Sequence, residues 1–457
     1  MEKNIKKTIL SNFLEPLLIN IADKQLPYCI CGNYKYLPYY TENDVDIWTK
    51  TPKLLIQIIE DICIQQKIQI YLINNNATGT NIFGWVNTYH GPITIHLDIL
   101  SECRWCAILP LVKSKVIENN RKMYKNFYVA NETVDAAMHL MYPLSHFGYV
   151  TKKYHCDIKN ASTENTFWDI IRDGWGNSFS KRIKPLVECN EWAILEQVFS
   201  QNRYRLIWNS IRNMRWAEFS SFFPFLFYNF QRLYKPSGLF IAFVGPDGCG
   251  KTTVQTNLEP FFTKGFTKGK IKKFYWRPFL FPRIKTLLSG GVGGIEKTSE
   301  DNPSDRLELR KVGFAKKLLH CVKLTYYWLD YILGRIKYQN VWSRGGVVCF
   351  DRYWDDLLVF PERFGLNVPK WIVRFLGLFI PKPDIIFYLH AEPDVLTGRK
   401  PELPLDEMKA QIEHYKNLSY LNGNYELIDG NKSQAEVLTS VIQACLKNMS
   451  KRYLKKK

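Results

Sequence analysis

The second half of the chain alternates short apolar runs with longer segments of helical periodicity. From residue 237 onward there are five runs rich in β-branched and aromatic residues, LFIAFV, KKFYW, VVCFD, DIIFYLH and YELID. Short apolar runs separated by helical segments are typical of strands that are buried on both faces of a parallel sheet. The pattern predicts a doubly wound α/β domain, with a five-stranded parallel sheet and helices on both faces.

The last predicted helix has a recognisable first residue. Ser433 is followed three positions later by Glu436, and the apolar periodicity of AEVLTSVIQACL comes next. A serine and a glutamate at this spacing form a capping box, in which each side chain binds a backbone N–H of the other residue. We therefore expect a helix to begin directly after Ser433.

The first half of the chain has a different pattern. Residues 1–120 mix helical and strand periodicities, whereas residues 165–237 are helical and rich in Trp and Arg. Pro236, Ser237 and Gly238 form a turn-favouring linker. We predict an α+β domain over residues 1–120, a helical extension over 121–236 and the parallel-sheet domain over 237–457.

Composition and charge bear on the location of the protein and on its possible partners, but they do not identify its function. The chain has 457 residues, a net charge of +19 and eleven cysteines, an odd number that indicates reduced thiols and a cytoplasmic protein. Neither a signal peptide nor a transmembrane helix is predicted. No nucleic-acid recognition module is present, so a nucleic-acid partner is not required. Contact of the aromatic, basic helices with a membrane surface and formation of a homodimer are left open.

A glycine-rich motif lies between the first predicted strand of the second half and the helix after it. Gly245 begins GPDGCGKT, which fits the pattern G-x-x-x-x-G-K-[ST] in the expected strand and helix context. Such loops direct backbone N–H groups at phosphate oxygens, and the following helix N-terminus adds partial positive charge. ATP and Mg²⁺ are the predicted cofactors. The expected nucleotide-binding residues are Gly245, Gly248, Gly250, Lys251, Thr252 and Thr253.

Other strand ends provide the remaining charges that phosphoryl transfer needs. Asp351 ends the run VVCFD and is predicted to bind Mg²⁺ together with Thr252, and Arg352 follows it directly. Arg277 follows the second predicted strand, and Arg399 follows the fourth after one helical turn. Both are cations that phosphoryl transfer could use. The expected catalytic residues are Lys251, Asp351, Arg352 and Arg399. The alternative for Arg277 and for Arg399 is a solvated arginine at the surface.

GPDGCGKTT, FYWRP, FDRY and the segment around Arg399, in this order, resemble the thymidylate kinase family of P-loop nucleoside monophosphate kinases over residues 236–448. The resemblance implies that Asp247 hydrogen-bonds the sugar hydroxyl of the acceptor, that Arg277 and Arg352 bind its phosphate, and that Arg399 lies in a lid. The chain departs from the family at one point: members usually have Arg-Glu-Pro where this chain has Trp276-Arg277-Pro278, so the glutamate is absent.

The N-terminal half has its own carboxylates. Asp44 and Asp46 are two residues apart in a predicted strand and would face the same side, and Asp98 lies in the later run TIHLDIL. Three converging carboxylates could bind a second Mg²⁺, although carboxylates that only meet solvent at a loop edge are also common. His90, His96 and His139 are predicted to be surface or helix residues and not metal ligands, since no His-x-x-x-His spacing joins them.

Gly32, Asp44-Val45-Asp46 and Asp98 resemble the glycine and carboxylates of the nucleotidyltransferase fold over residues 10–120. Asn33 stands where that fold usually has a serine or a second glycine. The segment NETVDAAMHLMYPLSHF would then be the first helix of the adjoining α-domain.

Three functions are consistent with these patterns. The first is an ATP-dependent kinase that converts dTMP to dTDP. The second is a kinase with another acceptor, such as a sugar or glycan precursor, combined with an N-terminal nucleotidyltransferase. The third is a nucleotide-regulated protein that binds nucleic acid without catalysis, for which only the net charge argues.

Overall fold

The computed structural model describes residues 2–41, 44–75, 79–105, 109–212, 222–263, 270–282, 314–399, 405–421 and 423–455. The chain divides into two compact units, Met1–Gln231 with Tyr453–Lys457, and Arg232–Arg452. No helix in the described ranges is both long enough and apolar enough to cross a membrane.

The N-terminal unit contains a seven-stranded mixed sheet in the order β3-β4-β5-β2-β1-β9-β8. Strands β2 and β5 are parallel, as are β1 and β9, and the other neighbours are antiparallel. A separate two-stranded sheet joins β6 to β7. The strands are β1 Tyr28–Cys31, β2 Val45–Thr49, β3 Gln69–Asn75, β4 Gly79–Thr88, β5 Gly91–Leu100, β6 Cys103–Trp105, β7 Leu109–Val112, β8 Arg121–Tyr124 and β9 Phe127–Ala130.

Eight helices precede the second unit within the described ranges. The predicted helix after the sheet is present as α4, which begins at the N-cap Asn131 and ends at Gly148 with a φ of 83°. The helices are α1 Glu2–Asp23, α2 Pro52–Gln65, α3 Ser114–Asn119, α4 Glu132–Phe147, α5 His155–Ala161, α6 Asn165–Trp175, α7 Asn177–Glu188 and α8 Trp192–Arg212.

The helices after residue 120 share a core with the strands before it. Trp48 of β2 and Trp105 of β6 belong to the same buried cluster as Phe167 and Phe199 from α6 and α8. This common core explains why residues 121–231 group with the sheet, whereas the sequence suggested a separate helical domain over 121–236. The boundary between the units falls inside helix α9, Phe222–Tyr234.

The second unit contains the predicted five-stranded sheet, and all of its strands are parallel. The order is β11-β12-β10-β13-β14. All six residues of β10 are buried, so both faces of the sheet are covered. The sequence prediction of five strands is confirmed as β10 Leu239–Val244, β11 Ile271–Tyr275, β12 Val347–Asp351, β13 Ile385–His390 and β14 Tyr425–Asp429.

The helices of this unit lie between its parallel strands in the chain, except for α17, which follows the last strand. They are α10 Lys251–Phe261, α11 Phe314–Leu333, α12 Arg335–Ser343, α13 Asp356–Val359, α14 Lys370–Gly377, α15 Pro393–Arg399, α16 Leu405–Leu421 and α17 Gln434–Leu454. The predicted capping box at α17 is confirmed. The Ser433 N–H donates to Glu436 Oε2 at 3.1 Å, and the Glu436 N–H donates to Ser433 Oγ at 3.4 Å.

Candidate functional site

The glycine motif forms the turn between β10 and α10. Gly245, Gly248 and Gly250 have φ values of 139°, 83° and 90°, all in the left-handed region that favours glycine. At Gly245 a side chain would also collide, because its Cβ would lie 2.5 Å from the Leu389 carbonyl oxygen. The loop therefore passes close to the end of β13 and leads into the N-terminus of α10, where backbone N–H groups can bind phosphate.

Lys251 lies within this turn. Its side chain is buried, and its Nζ donates to the carbonyl oxygens of Gly245 at 2.9 Å and Pro246 at 2.6 Å. These partners are neutral and belong to the loop itself. A bound phosphate could therefore replace them without separating an ion pair, which suits a lysine that binds a phosphate chain.

Thr252 and Asp351 face each other across the same edge of the sheet. Asp351 is the last residue of β12, which lies beside β10 in parallel, and its Oδ2 is 3.4 Å from Thr252 Oγ1. Asp351 Oδ1 is buried and has no hydrogen-bond partner among the residues that the structure describes. A hydroxyl beside a carboxylate with an unsatisfied oxygen fits Mg²⁺, which prefers oxygen ligands. Thr253 is exposed in the first turn of α10.

Asp247, inside the glycine loop, is bound by two arginines. Arg352 donates to its Oδ1 and Arg363 donates to its Oδ2. Burial alone would raise the pKa of Asp247, but the positive charges of Arg352, Lys251 and Arg363 hold that pKa well below its usual value. Asp247 is therefore an ionised acceptor of hydrogen bonds.

Arg352 is fixed by the residues around it. It is 3% exposed and has a φ of 70°, and its backbone N–H donates to the Phe243 carbonyl at 2.8 Å. Its guanidinium also reaches Asp356, a buried carboxylate that accepts hydrogen bonds from the Tyr353 N–H and the Tyr415 hydroxyl. Burial raises the pKa of Asp356. The arginine is thus held between one carboxylate of the loop and one of the core.

Arg363 is a candidate site residue that the sequence did not reveal. It lies in the 3₁₀ turn Pro361–Phe364, and no motif spacing connects it with Asp247. The ring of Phe364 stacks on Trp276 with the ring centroids 4.1 Å apart, which fixes the turn next to the end of β11. Only the folded chain brings this arginine to the glycine loop.

Arg277 has another charged partner. It is 2% exposed and donates to Asp330 Oδ2 on α11 at 2.8 Å, and its guanidinium lies 4.3 Å from the ring centroid of Phe279. Asp330 in turn accepts backbone N–H groups from Phe279 and Phe281. The structure therefore places Arg277 in a buried ion pair and not against Asp247. Its acceptor-phosphate role stays a prediction.

Arg399, the predicted lid arginine, is the last residue of α15 and stands at the edge of the described residues. Lys400 and the segment 401–404 lie outside them.

A second group of ionisable side chains lies in the N-terminal sheet. Asp46 of β2 is the direct neighbour of Asp98 on β5. Asp44, His96 and Asp98 each offer one ligand atom within 4.8 Å of the others, and His96 Nε2 lies 2.7 Å from Asp98 Oδ1. The structure thus brings the three predicted carboxylates to one region and adds an imidazole.

The predicted location of His96, at the surface or in a helix, was wrong. It lies on β5, stacked on the ring of Phe83 at 4.1 Å, with its side chain only 13% exposed. The signal was present in the sequence, because His96 and Asp98 are two residues apart in a strand and must share a face. The search for His-x-x-x-His spacing is suited to helices and missed it.

Gly32 lies directly after β1 and contacts a carboxylate of α4. It has a φ of 72°, and its N–H donates to Asp135 Oδ1 on α4 at 2.7 Å. Burial raises the pKa of Asp135 to about 6, although this hydrogen bond opposes the rise. The hydrogen bond that the Gly32 N–H can donate is therefore already accepted by a carboxylate.

Comparisons with known proteins identify relatives of part of the chain. No protein-family model matches the chain. A thymidylate kinase of Malacoplasma penetrans is 30% identical over 203 residues, which cover 42% of this chain and 82% of that protein. A thymidylate kinase of Geobacillus sp. is 26% identical over 230 residues, or 46% of this chain and 96% of that protein.

A solved thymidylate kinase structure from Candida albicans is 15% identical and covers 47% of this chain and 93% of its own, but its TM-score of 0.31 supports no conclusion by itself. The sequence relatives are sufficient. Through a nucleotide kinase domain that accounts for somewhat less than half of its length, the chain belongs to the thymidylate kinase family.

Proposed function

We propose that the unit Arg232–Arg452 transfers the γ-phosphoryl group of ATP to dTMP, giving dTDP and ADP. The observation that carries this proposal is the arrangement around one glycine loop. Lys251 and the Thr252–Asp351 pair are the residues that would bind the phosphates of ATP and Mg²⁺. Asp247 belongs to the same loop and is bound by Arg352 and Arg363. Donor and acceptor groups therefore have separate binding residues on the same loop.

On the donor side, the loop N–H groups and the N-terminus of α10 bind the phosphates of ATP. Lys251 exchanges the Gly245 and Pro246 carbonyl oxygens for phosphate oxygens. Thr252 and Asp351 are the residues that would hold Mg²⁺, which when bound neutralises charge on the phosphates. No covalent intermediate with the protein is needed, because in-line transfer depends on positioning and charge stabilisation.

On the acceptor side, Asp247 accepts a hydrogen bond from the sugar hydroxyl, and Arg352 binds the acceptor phosphate. Arg352 is suited to this because its buried partners limit its rotamers, so little conformational entropy is lost on binding. Arg363 keeps Asp247 ionised and adds a second cation. Arg399 would approach the transferring phosphoryl from the segment after β13.

The test is to incubate the purified full chain with MgATP and each of dTMP, dUMP, dCMP and dGMP, and to identify any deoxynucleoside diphosphate by mass. We expect dTDP to form fastest. Turnover of another monophosphate with little dTMP use would overturn the choice of acceptor, and a lack of diphosphate from every monophosphate would overturn nucleotide phosphorylation itself.

A second candidate function is favoured by the carboxylates of β2 and β5. We propose that Asp44, Asp46 and Asp98, with His96, bind a divalent metal and that the N-terminal unit transfers a nucleotidyl group, with the kinase acting on a sugar or glycan precursor. Radiolabelled nucleoside triphosphates and a sugar 1-phosphate would be incubated with the wild-type chain and with Asp46→Ala. Labelled nucleotide sugar from the wild type alone supports the proposal, and its absence from both contradicts it.

A further inference from the structure

A cavity of about 480 Å³ opens in the N-terminal unit beside the Gly32 loop. One wall is the loop that follows β1, and the other comes from α4 and α5. The rings of Tyr34, Tyr36, Tyr40 and Tyr154 line it. A volume of this size can hold a single small-molecule ring with its substituents.

The charge of this cavity is opposite to that of the chain as a whole. Four carboxylates line it and only two lysines, although the chain carries a net charge of +19. The carboxylates are Glu132, Asp135, Asp157 and Glu164, and the lysines are Lys35 and Lys153.

The four carboxylates differ in how far their neighbours neutralise them. Glu132 is paired with Lys122, and Glu164 accepts a hydrogen bond from Thr133 at 2.6 Å. Asp135 has a neutral donor, the Gly32 N–H, and the nearest imidazole is 3.7 Å away at His139.

His139 does not neutralise Asp135 at neutral pH. Burial and the nearby Lys153 lower the pKa of His139 to about 4, so the imidazole is uncharged. Asp157 is exposed and lines the same cavity, and its negative charge is close enough to raise the pKa of Asp135. The charges of these two carboxylates therefore make the cavity favourable for a cation.

A phosphate is a poor occupant for the same reasons. The N–H of Gly32, which would have to donate to it, is already bound by Asp135 at 2.7 Å. A polyanion that displaced Asp135 would leave a carboxylate near it and would face Asp157 as well. Lys153, one of the two cations, lies over the ring of Tyr154 at 4.5 Å and is exposed.

The cavity also offers a fixed aromatic ring and neutral polar groups. Tyr154 stacks on His139 with their ring centroids 3.5 Å apart. The side-chain amide of Asn33 lies 3.5 Å from the hydroxyl of Tyr154. Asn160 lines the same space. An aromatic ring can cover the apolar face of a saturated ring, while amides and hydroxyls bind hydroxyl groups.

We propose that this cavity binds an ammonium-bearing, polyhydroxylated ring of the amino sugar class. Asp135 and Asp157 bind the ammonium group, and the ligand ring packs on Tyr154 in place of the exposed Lys153 side chain, which lies over that tyrosine in the free chain. The proposal is independent of the kinase activity, because every residue that it uses lies in the unit Met1–Gln231.

The test uses the full chain and three matched probes, D-glucosamine, N-acetyl-D-glucosamine and D-glucose, in ligand-observed saturation-transfer NMR titrations at pH 7.5 and low salt. The three share a pyranose ring, and only the first carries a free amine, about half of which is protonated at this pH. We expect D-glucosamine to bind about tenfold or more tightly than the other two, a ratio typical of one charge-assisted hydrogen bond.

Variants locate the binding. Asp157→Asn removes an exposed carboxylate of the cavity, so the fold should be retained, and it should weaken D-glucosamine binding about tenfold. Asp169→Asn is the matched control, an exposed aspartate of α6 paired with Arg172 outside the cavity, and should leave binding unchanged. Asp135→Asn is the second variant and keeps an oxygen for the Gly32 N–H.

Three outcomes would overturn the proposal. The first is equal affinity for the three probes, and the second is equal loss in Asp157→Asn and Asp169→Asn. The third is competition by a nucleotide: MgATP displaces D-glucosamine from a chain with Lys251→Ala, whose kinase site is disabled. None of these outcomes depends on whether the kinase turns over dTMP.

Discussion

The carboxylate of Asp247 in the glycine loop is bound directly by the guanidinium of Arg352, the residue that follows β12. The two residues are 105 positions apart in the chain. This contact joins the phosphate-binding loop to the neighbouring strand end, and Asp356 holds the same arginine from the other side. The proposed acceptor site therefore consists of charges that fix one another.

The first prediction concerns Asp247. Replacement by Asn keeps the shape but removes the charge that two arginines bind, so the KM for the acceptor should rise about tenfold or more while the KM for ATP changes little. Steady-state kinetics with each substrate varied measures this. Asp169→Asn, an exposed aspartate of α6 in the other unit, is the control. A change limited to the KM for ATP would contradict the proposed acceptor role.

The second prediction concerns Lys251. Lys251→Met removes the ammonium group but keeps much of the buried chain, so kcat should fall about 100-fold or more, as when one charge-stabilising donor is lost. The far-UV circular dichroism should be unchanged. Lys273→Met removes an exposed lysine that pairs with Glu259 of α10, and serves as the matched control. Equal activity of the two variants would refute the site.

The third prediction separates the two roles of Arg277. If the arginine acts through its buried pair, Arg277→Met leaves Asp330 without a charge partner and should lower the free energy of unfolding by about 3 kcal/mol or more. The double variant Arg277→Met/Asp330→Asn should recover part of that loss. Urea unfolding measures both changes.

If Arg277 instead leaves Asp330 to bind the acceptor phosphate, Arg277→Lys would behave differently. The KM for the acceptor would rise, because a lysine cannot form the bidentate hydrogen bonds of a guanidinium with a phosphate. Comparison of that KM with the stability of the same variant decides between the two roles.

The fourth prediction concerns pH. The pKa of Asp135 is raised from 3.8 to about 6, so its ionisation costs the folded chain about 3 kcal/mol, and this cost develops as the pH rises from about 4 to 6. The pKa of His139 is lowered from 6.5 to about 4, so its protonation at low pH destabilises the folded chain, and this destabilisation is lost as the pH rises from about 4 to 6.5. The two slopes have opposite signs and largely cancel in the wild type.

Asp135→Asn should remove the pH dependence of stability that comes from Asp135 and leave the one that comes from His139. The N-terminal unit of this variant should therefore become more stable as the pH rises from 4 to 6.5, whereas the wild type changes little. Urea-dependent hydrogen exchange of the backbone N–H groups of β1 and β9, in the same unit, corrected for the intrinsic exchange rate at each pH, measures this. Parallel pH curves for the two chains would show that the Asp135 carboxyl titrates at its ordinary pH.

The sequence predicted the parts of the fold that depend on local pattern. The five strands of the parallel sheet and the capping box of α17 were all correct, because burial on both faces and capping leave a signal within a few residues. His96 was misread although its strand spacing to Asp98 was visible. Arg363 could not have been predicted, since its contact with Asp247 spans 116 positions and depends on the packing of Trp276 on Phe364.

The grouping of residues 121–231 with the first sheet also depends on tertiary packing. Tryptophans and phenylalanines from both segments fill one core, and the periodicity of each helix shows only that it has an apolar face. The partner of Arg277 was hidden for the same reason.

Tyr415 donates its hydroxyl to Asp356, which contacts Arg352. Tyr415 belongs to α16, the helix that follows the Arg399 segment. A shift of α16 should therefore change the orientation of Arg352, because Asp356 contacts both Tyr415 and Arg352. Sequence changes in α16 that never touch a nucleotide should alter how selectively the enzyme chooses its phosphoryl acceptor, and such remote positions are where relatives with different specificities would be expected to diverge.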